Sequence, residues 1–311
     1  MSATPWTDPF VHPALFYGDR EEYLAGTVPF VRAGLDAGEA VAVAVPEGNL
    51  GLIRDALGER AAQVRLLDMA QAGRNPGRII PRVLRAFADA HPHGRVRIIG
   101  EPIWAGRTPM EYPACVQHEA LINLAFQGRA ATILCPYDEA SLPDAVLADA
   151  HATHPTVIRS GKHDTSAAYA PDAVVSRYNQ PLTAPRGVPR VTYARHSLSE
   201  VRHLTILRAA ELGVPESRLE DFALVVAELT TNSVVHGGGS GALRIWAADG
   251  HVVFQVRDAG VLTDPLAGRR PPARDQRGGR GLLLVHMLAD LVRVHTDPVL
   301  GTTVHCYFQY S

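Results

Sequence analysis

Residues 219–236 constrain the chain more than any other stretch. Leu219, Phe222, Val226 and Leu229 recur at three- and four-residue spacing, the pattern of an amphipathic helix that ends at Gly237. On that helix Glu228 and Asn232 stand four apart and share one face, roughly opposite the apolar stripe. A carboxylate and a carboxamide one turn apart suit phosphate chemistry, because the first can orient or deprotonate an attacking hydroxyl and the second can ligate Mg²⁺. A merely solvated polar face is the ordinary alternative. The downstream order of residues weighs against it: the apolar run His251 to Val256 leads into Asp258-Ala259-Gly260, then comes a stretch rich in Arg, Pro and Gly, and then Gly278-Gly279-Arg280-Gly281-Leu282 opens another helix.

These three blocks, in this order, resemble the ATPase domain shared by gyrase, heat-shock chaperone, sensor kinase and mismatch-repair families (the GHKL group, with its Bergerat fold). Within that group the resemblance is greatest to the bacterial anti-sigma-factor serine kinases. The resemblance covers residues 187–311 and implies a cytoplasmic Mg-ATP-dependent protein-serine kinase of transcriptional signalling. Its implied partners are a sigma factor and a STAS-type anti-sigma-factor antagonist, with pairing of two copies through the sheet. It also implies roles: Glu228 as general base, Asn232 as the Mg²⁺ ligand, Asp258 as acceptor for the adenine amino group, and Gly260 close beside the base. Gly279, Arg280, Gly281 and Leu282 would lie at the phosphates, with His236 and Thr302 completing the nucleotide site. Residues 261–277 would form a lid, whose Arg269, Arg270, Arg274 and Arg277, with Arg280, are candidates for phosphate contact.

Lysine usage fits such a site. Lys162 is the only lysine in 311 residues. It follows Gly161, but no glycine stands five before it and His163 replaces the Ser or Thr of a P-loop. A Val-Ala-Ile-Lys kinase strand is absent as well. Bound ATP would therefore rest on backbone N–H groups, Mg²⁺ and arginine.

The first half alternates between apolar runs and helical periods. Ala14 to Tyr17, Ala40 to Val45, Val64 to Leu67, Val96 to Gly100 and Ala131 to Cys135 read as strands; Arg20 to Ala37, Leu50 to Leu57, Ile79 to Ala90 and Glu111 to Ala125 read as helices. Such alternation predicts an α/β, doubly wound sheet with ligand loops at the strands' carboxyl ends. The phrases at those ends, Tyr17-Gly18-Asp19, Gly100-Glu101-Pro102-Ile103-Trp104 and Cys135-Pro136-Tyr137-Asp138, together with His118-Glu119-Ala120-Leu121-Ile122-Asn123, resemble the methanogen and methylotroph sensory (MEDS) domain over residues 10–160. That family is similar to the RecA-like fold, here without a P-loop lysine. Glu101, Trp104, His118, Tyr137 and Asp138 either line a small-molecule pocket or fix loops and pack the core.

Other features exclude more than they assign. Net charge of -2 gives no electrostatic case for nucleic acid or an anionic membrane. Neither a signal peptide nor an apolar run of membrane-spanning length is present. Three widely spaced cysteines offer no disulfide framework, and Cys135, behind an apolar run, reads as an inert buried thiol. His91-x-His93 and His151-x-x-His154 lack acidic or Cys companions at suitable spacing and read as loop histidines. His118-Glu119 lacks the proline of a histidine-kinase phosphoacceptor box. Residues 161–186, with three prolines among small and polar residues, read as a linker that can hold a short helix near Tyr169 to Tyr178. Beyond it, Pro189 to His196 reads as an edge strand, and Ser197 with Glu200 as a capping box. Asp249-Gly250 marks a hairpin. The C-terminal part is then a two-layer α/β sandwich with a mixed, mostly antiparallel sheet. Three functional classes remain: a serine kinase, a catalytically silent ATP-binding partner switch, and a sensor histidine kinase.

Overall fold

A computed structural model describes residues 9–271 and 279–310. Two compact units meet in sequence at Tyr178 and Asn179. Among the described residues, no helix is long and apolar enough to cross a membrane.

The first unit runs β1 (Phe10–Val11), β2 (Pro13–Tyr17), α1 (Arg20–Asp36), β3 (Ala40–Val45), α2 (Glu47–Leu57), β4 (Arg65–Asp68), α3 (Met69–Ala72), α4 (Arg85–Ala90), β5 (Val96–Gly100), α5 (Tyr112–Ala125), β6 (Ala131–Asp138), α6 (Asp144–Thr153), β7 (Thr156–Arg159), β8 (Lys162–Thr165) and α7 (Pro171–Arg177). Its sheet has the order β4-β3-β5-β6-β2-β7-β8, with β1 also paired to β6. All of these pairs are parallel except β7 with β8. The near-continuous apolar strand Ala40–Val45 is buried along almost its whole length, as expected of a parallel strand covered on both faces. Several elements lie outside the sequence expectation, the short β1 and α3 among them. Helix α6 shows in the sequence only as polar residues around His151 and His154, because its alanines give no apolar stripe. The hairpin β7–β8 turns at Ser160 and Gly161, both at positive φ. Residues 79–84 wind as a π-helix before α4 rather than as one continuous α-helix.

Much of the expected linker is structured. Residues 162–165 and 171–177 form β8 and α7 of the first unit, and α7 buries Val174. Asn179 belongs to the second unit, where its amide donates to Thr296 O at 2.8 Å and accepts from Thr296 N at 3.0 Å.

The second unit contains β9 (Val191–Ala194), α8 (Leu198–Glu211), α9 (Leu219–His236), β10 (Ser240–Ala248), β11 (His251–Asp258), α10 (Gly281–Leu288), β12 (Leu291–Asp297) and β13 (Gly301–Gln309). The sheet order is β12-β13-β11-β10-β9, and every pair is antiparallel rather than mixed. Asp249 and Gly250, both at positive φ, make the tight turn between β10 and β11. Along β11 the alternate residues Val252, Phe254 and Val256 join the core with Phe222, Val225, Val226 and Leu229 of α9. Phe222 meets the rings of Phe254 and Phe308 edge-on, at 5.7 and 5.1 Å between centroids. Each such aromatic or aliphatic side chain contributes about 1.5–3 kcal/mol through burial, which holds α9 against the sheet. The opposite sheet face is partly covered too: Gln255 Nε2 donates to Leu182 O and His295 Nδ1 to Asn179 O. The expected capping box is not formed. Ser197 Oγ instead accepts from Ala194 N at 3.1 Å and contacts Ala194 O at 3.2 Å, closing a turn before α8.

Candidate functional site

A cavity of about 820 Å³ opens between α9, the loop after β11, the start of α10 and β13. Its size is within the range of small-molecule and cofactor sites. Helix α9 contributes Glu228, Asn232 and His236; the end of β11 contributes Asp258, followed by Gly260; Gly279, Arg280, Gly281 and Leu282 enter from the start of α10, and Thr302 from β13. The structure therefore brings together all ten nucleotide-site residues named from the sequence. Glu228 and Asn232 do not lie opposite the buried stripe of α9. They stand at its margin, with the buried Leu229 beside them, because the buried face also includes Val225 and extends to Ser233.

Asp258 is held in place by hydrogen bonds from its neighbours. Ser233 Oγ donates to its Oδ2 at 2.6 Å and Gly260 N to its Oδ1 at 2.9 Å. Gly237 packs so closely on this carboxylate that a Cβ there would collide with Asp258 Cγ. Thr302 Oγ1 donates to Gly260 O at 2.7 Å, which fixes the loop after Asp258. At the start of α10, a Cβ on Gly281 would collide with Glu228 Oε2 and lie 3.4 Å from Asn232 Nδ2. Only glycine lets the first turn of α10 approach both α9 side chains. The N–H groups of that first turn form the positive end that anions favour. The donor set thus fits a Mg-nucleotide: an amide and a carboxylate oxygen beside a helix N-terminus, suited to a hard cation shared with phosphate oxygens.

The arginine candidates separate. Arg270 lines the cavity and pairs with Asp264 at 2.7 Å. Arg269 is buried and is not among the lining residues. Arg280 caps α10 and is exposed. Arg274, Arg277 and Gly278 lie outside the described residues. Lys162 lies on β8 of the first unit and does not line the cavity.

The five expected sensory residues fall into separate groupings. Glu101 is buried and accepts from Asn49 Nδ2, at 2.9 and 3.0 Å, and from Tyr23 OH at 3.4 Å. Asp138 organises the turn after β6, accepting from Ala140 N and Ser141 Oγ. Trp104 lies beneath the Arg107 guanidinium, 4.1 Å from its ring centroid, in a packing contact. His118 and Tyr137 sit beside a cluster absent from the sequence expectation, that of His12, Glu119, Cys135 and His154. His154 is no loop histidine. It caps α6, is fully buried, and places Nε2 3.0 Å from Glu119 Oε2. Its companions come from three other elements, so no local spacing marks them.

Comparison with known proteins matches both units. Residues 11–155 match the MEthanogen/methylotroph, DcmR Sensory domain (MEDS), and residues 192–308 match the Histidine kinase-like ATPase domain. A serine-protein kinase RsbW of Halalkalibacterium halodurans is 31% identical over 134 residues, which is 39% of this chain and 80% of that protein. The chain belongs to the anti-sigma-factor group of histidine kinase-like ATPases. An anti-sigma F factor of Bacillus licheniformis is 29% identical over 106 residues, 31% of this chain and 73% of the relative. A crystal structure of the RsbU and RsbW domains of Rv1364c from Mycobacterium tuberculosis is 22% identical, covering 39% of this chain and 32% of that one, with a TM-score of 0.29. The chain spans about a third of that structure.

Within the MEDS domain, burial raises the Glu101 carboxyl to about 8, against hydrogen bonds from Asn49 and Tyr23 that favour its charged form. The folded state then holds a proton that the unfolded chain, with an ordinary glutamate, releases near pH 4.5. Stability from this group is therefore complete below pH 4.5 and is lost as pH rises through about 8. His12 acts in the opposite sense, since burial and the neighbouring His154 lower it to about 4. Glu101→Gln is expected to flatten the decline in melting temperature of the intact chain between pH 5 and 8. An unchanged slope, measured by thermal unfolding in matched ionic strength, would remove Glu101 as its source.

Proposed function

We propose that the chain is a regulatory ATP-dependent protein-serine kinase of the partner-switching kind. In this reading it sequesters a sigma factor, phosphorylates a serine on an antagonist protein, and takes its input from a MEDS domain built on a RecA-like sheet. One observation carries the proposal: Gly281 brings the N-terminal turn of α10 against both Glu228 and Asn232, in the cavity whose far side is fixed by Asp258. The name of the RsbW relative supports serine as the acceptor.

Each residue then has a task. Asp258 accepts a hydrogen bond from the adenine amino group, and Gly260 keeps the neighbouring backbone clear of the base. Asn232 Oδ1 would hold Mg²⁺, and the bound ion would supply positive charge beside the phosphate. Gly279, Arg280, Gly281 and Leu282 turn backbone N–H groups toward the phosphates, with Arg270 at hand from the lid. Glu228 orients the incoming serine hydroxyl and accepts its proton. Such transfer depends chiefly on positioning and charge stabilisation, which suits a site with no lysine.

The test is calorimetric titration of the intact chain with ATP, with and without Mg²⁺, followed by serine phosphorylation of a candidate antagonist from labelled ATP. Asn232→Ala is expected to weaken Mg-ATP binding by roughly tenfold, the equivalent of one charge-assisted contact, while leaving metal-free ATP binding little changed. Equal affinities for Mg-ATP in the variant and the parent chain would remove Asn232 from the metal site. Bound nucleotide with no transfer to any antagonist would instead make the protein a silent binding switch.

A further inference from the structure

The MEDS domain contains a buried group of ligating side chains beside His118 and Tyr137. His12 follows β1, Glu119 lies on α5, Cys135 on β6 and His154 at the end of α6. All four are buried, with side chains of His12, Glu119 and His154 at 0% exposure. One ligating atom from each lies within 4.8 Å of all the others. His154 Nε2 is 3.0 Å from Glu119 Oε2, His12 Nε2 is 3.6 Å from the same oxygen, and Cys135 Sγ is 3.4 Å from His12 Nε2. A tetrahedral zinc site with N, O and S ligands has ligand-to-ligand edges of about 3.3–3.8 Å. The cluster is already near that size.

The surrounding hydrogen bonds settle which ring nitrogens face inward. His154 Nδ1 is 2.8 Å from Ala150 O, and a carbonyl can only accept, so Nδ1 carries the hydrogen. His12 Nδ1 is 3.1 Å from Asn123 Oδ1. The orientation of that amide is fixed because Asn123 Nδ2 donates to the carbonyls of Thr153 at 2.8 Å and Ala120 at 3.2 Å. In their neutral forms both imidazoles therefore turn Nε2 lone pairs toward the centre, and each has the outer acceptor typical of a ligating histidine. Neither Glu119 oxygen nor His154 Nε2 makes a hydrogen bond. Two imidazole nitrogens, a carboxylate and a thiol face one another deep in the domain, with the Tyr137 hydroxyl beside the carboxylate. A carboxylate buried among neutral imidazoles is costly, and a cation at the centre satisfies all four groups together.

We infer that His12, Glu119, Cys135 and His154 bind a zinc-type divalent cation with four protein ligands. Thiolate, imidazole and carboxylate in a tetrahedral set suit Zn²⁺ in preference to Mg²⁺ or Ca²⁺, which take oxygen ligands. No open position remains for a substrate, so the ion ties the N-terminal segment, α5, β6 and the end of α6 together, rather than performing catalysis. A change of metal or of thiol state would then alter the scaffold on which any MEDS signal depends.

The experiment uses the intact, tag-free chain. Elemental analysis after purification from zinc-supplemented cells is expected to find about one zinc per chain, and chelation to lower the melting temperature. Reloading with Co²⁺ should give the visible absorption of a tetrahedral ion with a thiolate charge-transfer band, and Cys135→Ser should abolish that band. Should the variant fail to fold, the Co²⁺ spectrum of the parent chain still decides the matter. A folded parent chain with less than about a tenth of an equivalent of metal and no tetrahedral Co²⁺ spectrum would overturn the inference and leave the cluster bridged by protons alone.

Discussion

Glu228→Ala is expected to slow serine phosphorylation by a factor of about 10²–10⁴ while leaving ATP bound, the range removed when a positioned general base is lost. The geometry makes this substitution informative. Glu228 is half-buried at the cavity margin, not embedded in the core, and it packs against Gly281, where the chain has no side chain to lose. Truncation therefore opens space beside α10 without removing a core contact, and the fold should survive. Glu228→Gln preserves the shape and removes the base, so it should be nearly as slow in transfer. Single-turnover transfer to an antagonist, alongside calorimetric ATP affinity, separates chemistry from binding. If both variants transfer phosphate at the parent rate, Glu228 is not the base. If both lose ATP binding as well, its task is to hold the nucleotide site together.

Whether a feature is legible in the sequence depends on whether its residues are neighbours in the chain. The nucleotide cavity is readable because its parts come as short blocks with local causes. Glu228 and Asn232 share a helix face through a four-residue spacing, Asp258 and Gly260 follow a strand, and Gly279 and Gly281 precede a helix. The strands of the first unit are readable for the same reason, since Ala40–Val45 is an unbroken apolar run. Helix α6 escapes because alanine-rich periods carry little contrast between faces. The capping box at Ser197 fails because a turn made by the same hydroxyl competes with it. The cluster of His12, Glu119, Cys135 and His154 is hidden for a deeper reason. Parallel pairing sets Ala14 beside Cys135, and helices α5 and α6 pack nearby, so residues more than a hundred positions apart meet only through topology. His154 has no ligand companions in its own stretch of chain, and the fold supplies three.

Asp258→Asn should produce the other large effect, a loss of about 10- to 150-fold in ATP affinity, corresponding to the roughly 1.5–3 kcal/mol of a hydrogen bond to a charged group. Asparagine keeps both internal contacts of the carboxylate: its oxygen can still accept from Gly260 N, and its NH₂ can donate to Ser233 Oγ, where Asp258 Oδ2 now accepts at 2.6 Å. Its size also respects the close approach of Gly237. What asparagine lacks is the second acceptor oxygen and the charge that would read an exocyclic amino group. Discrimination between ATP and GTP should therefore narrow along with affinity, since the site has lost the group that distinguishes an amino donor from a carbonyl acceptor. Asp258→Ala is the blunter comparison, because it also leaves Ser233 Oγ without its carboxylate partner and should lower the melting temperature. Calorimetry with both nucleotides on the Asn variant decides the assignment. Unaltered ATP affinity and preference would show that the carboxylate only organises the loop, and the adenine would have to be read elsewhere in the cavity.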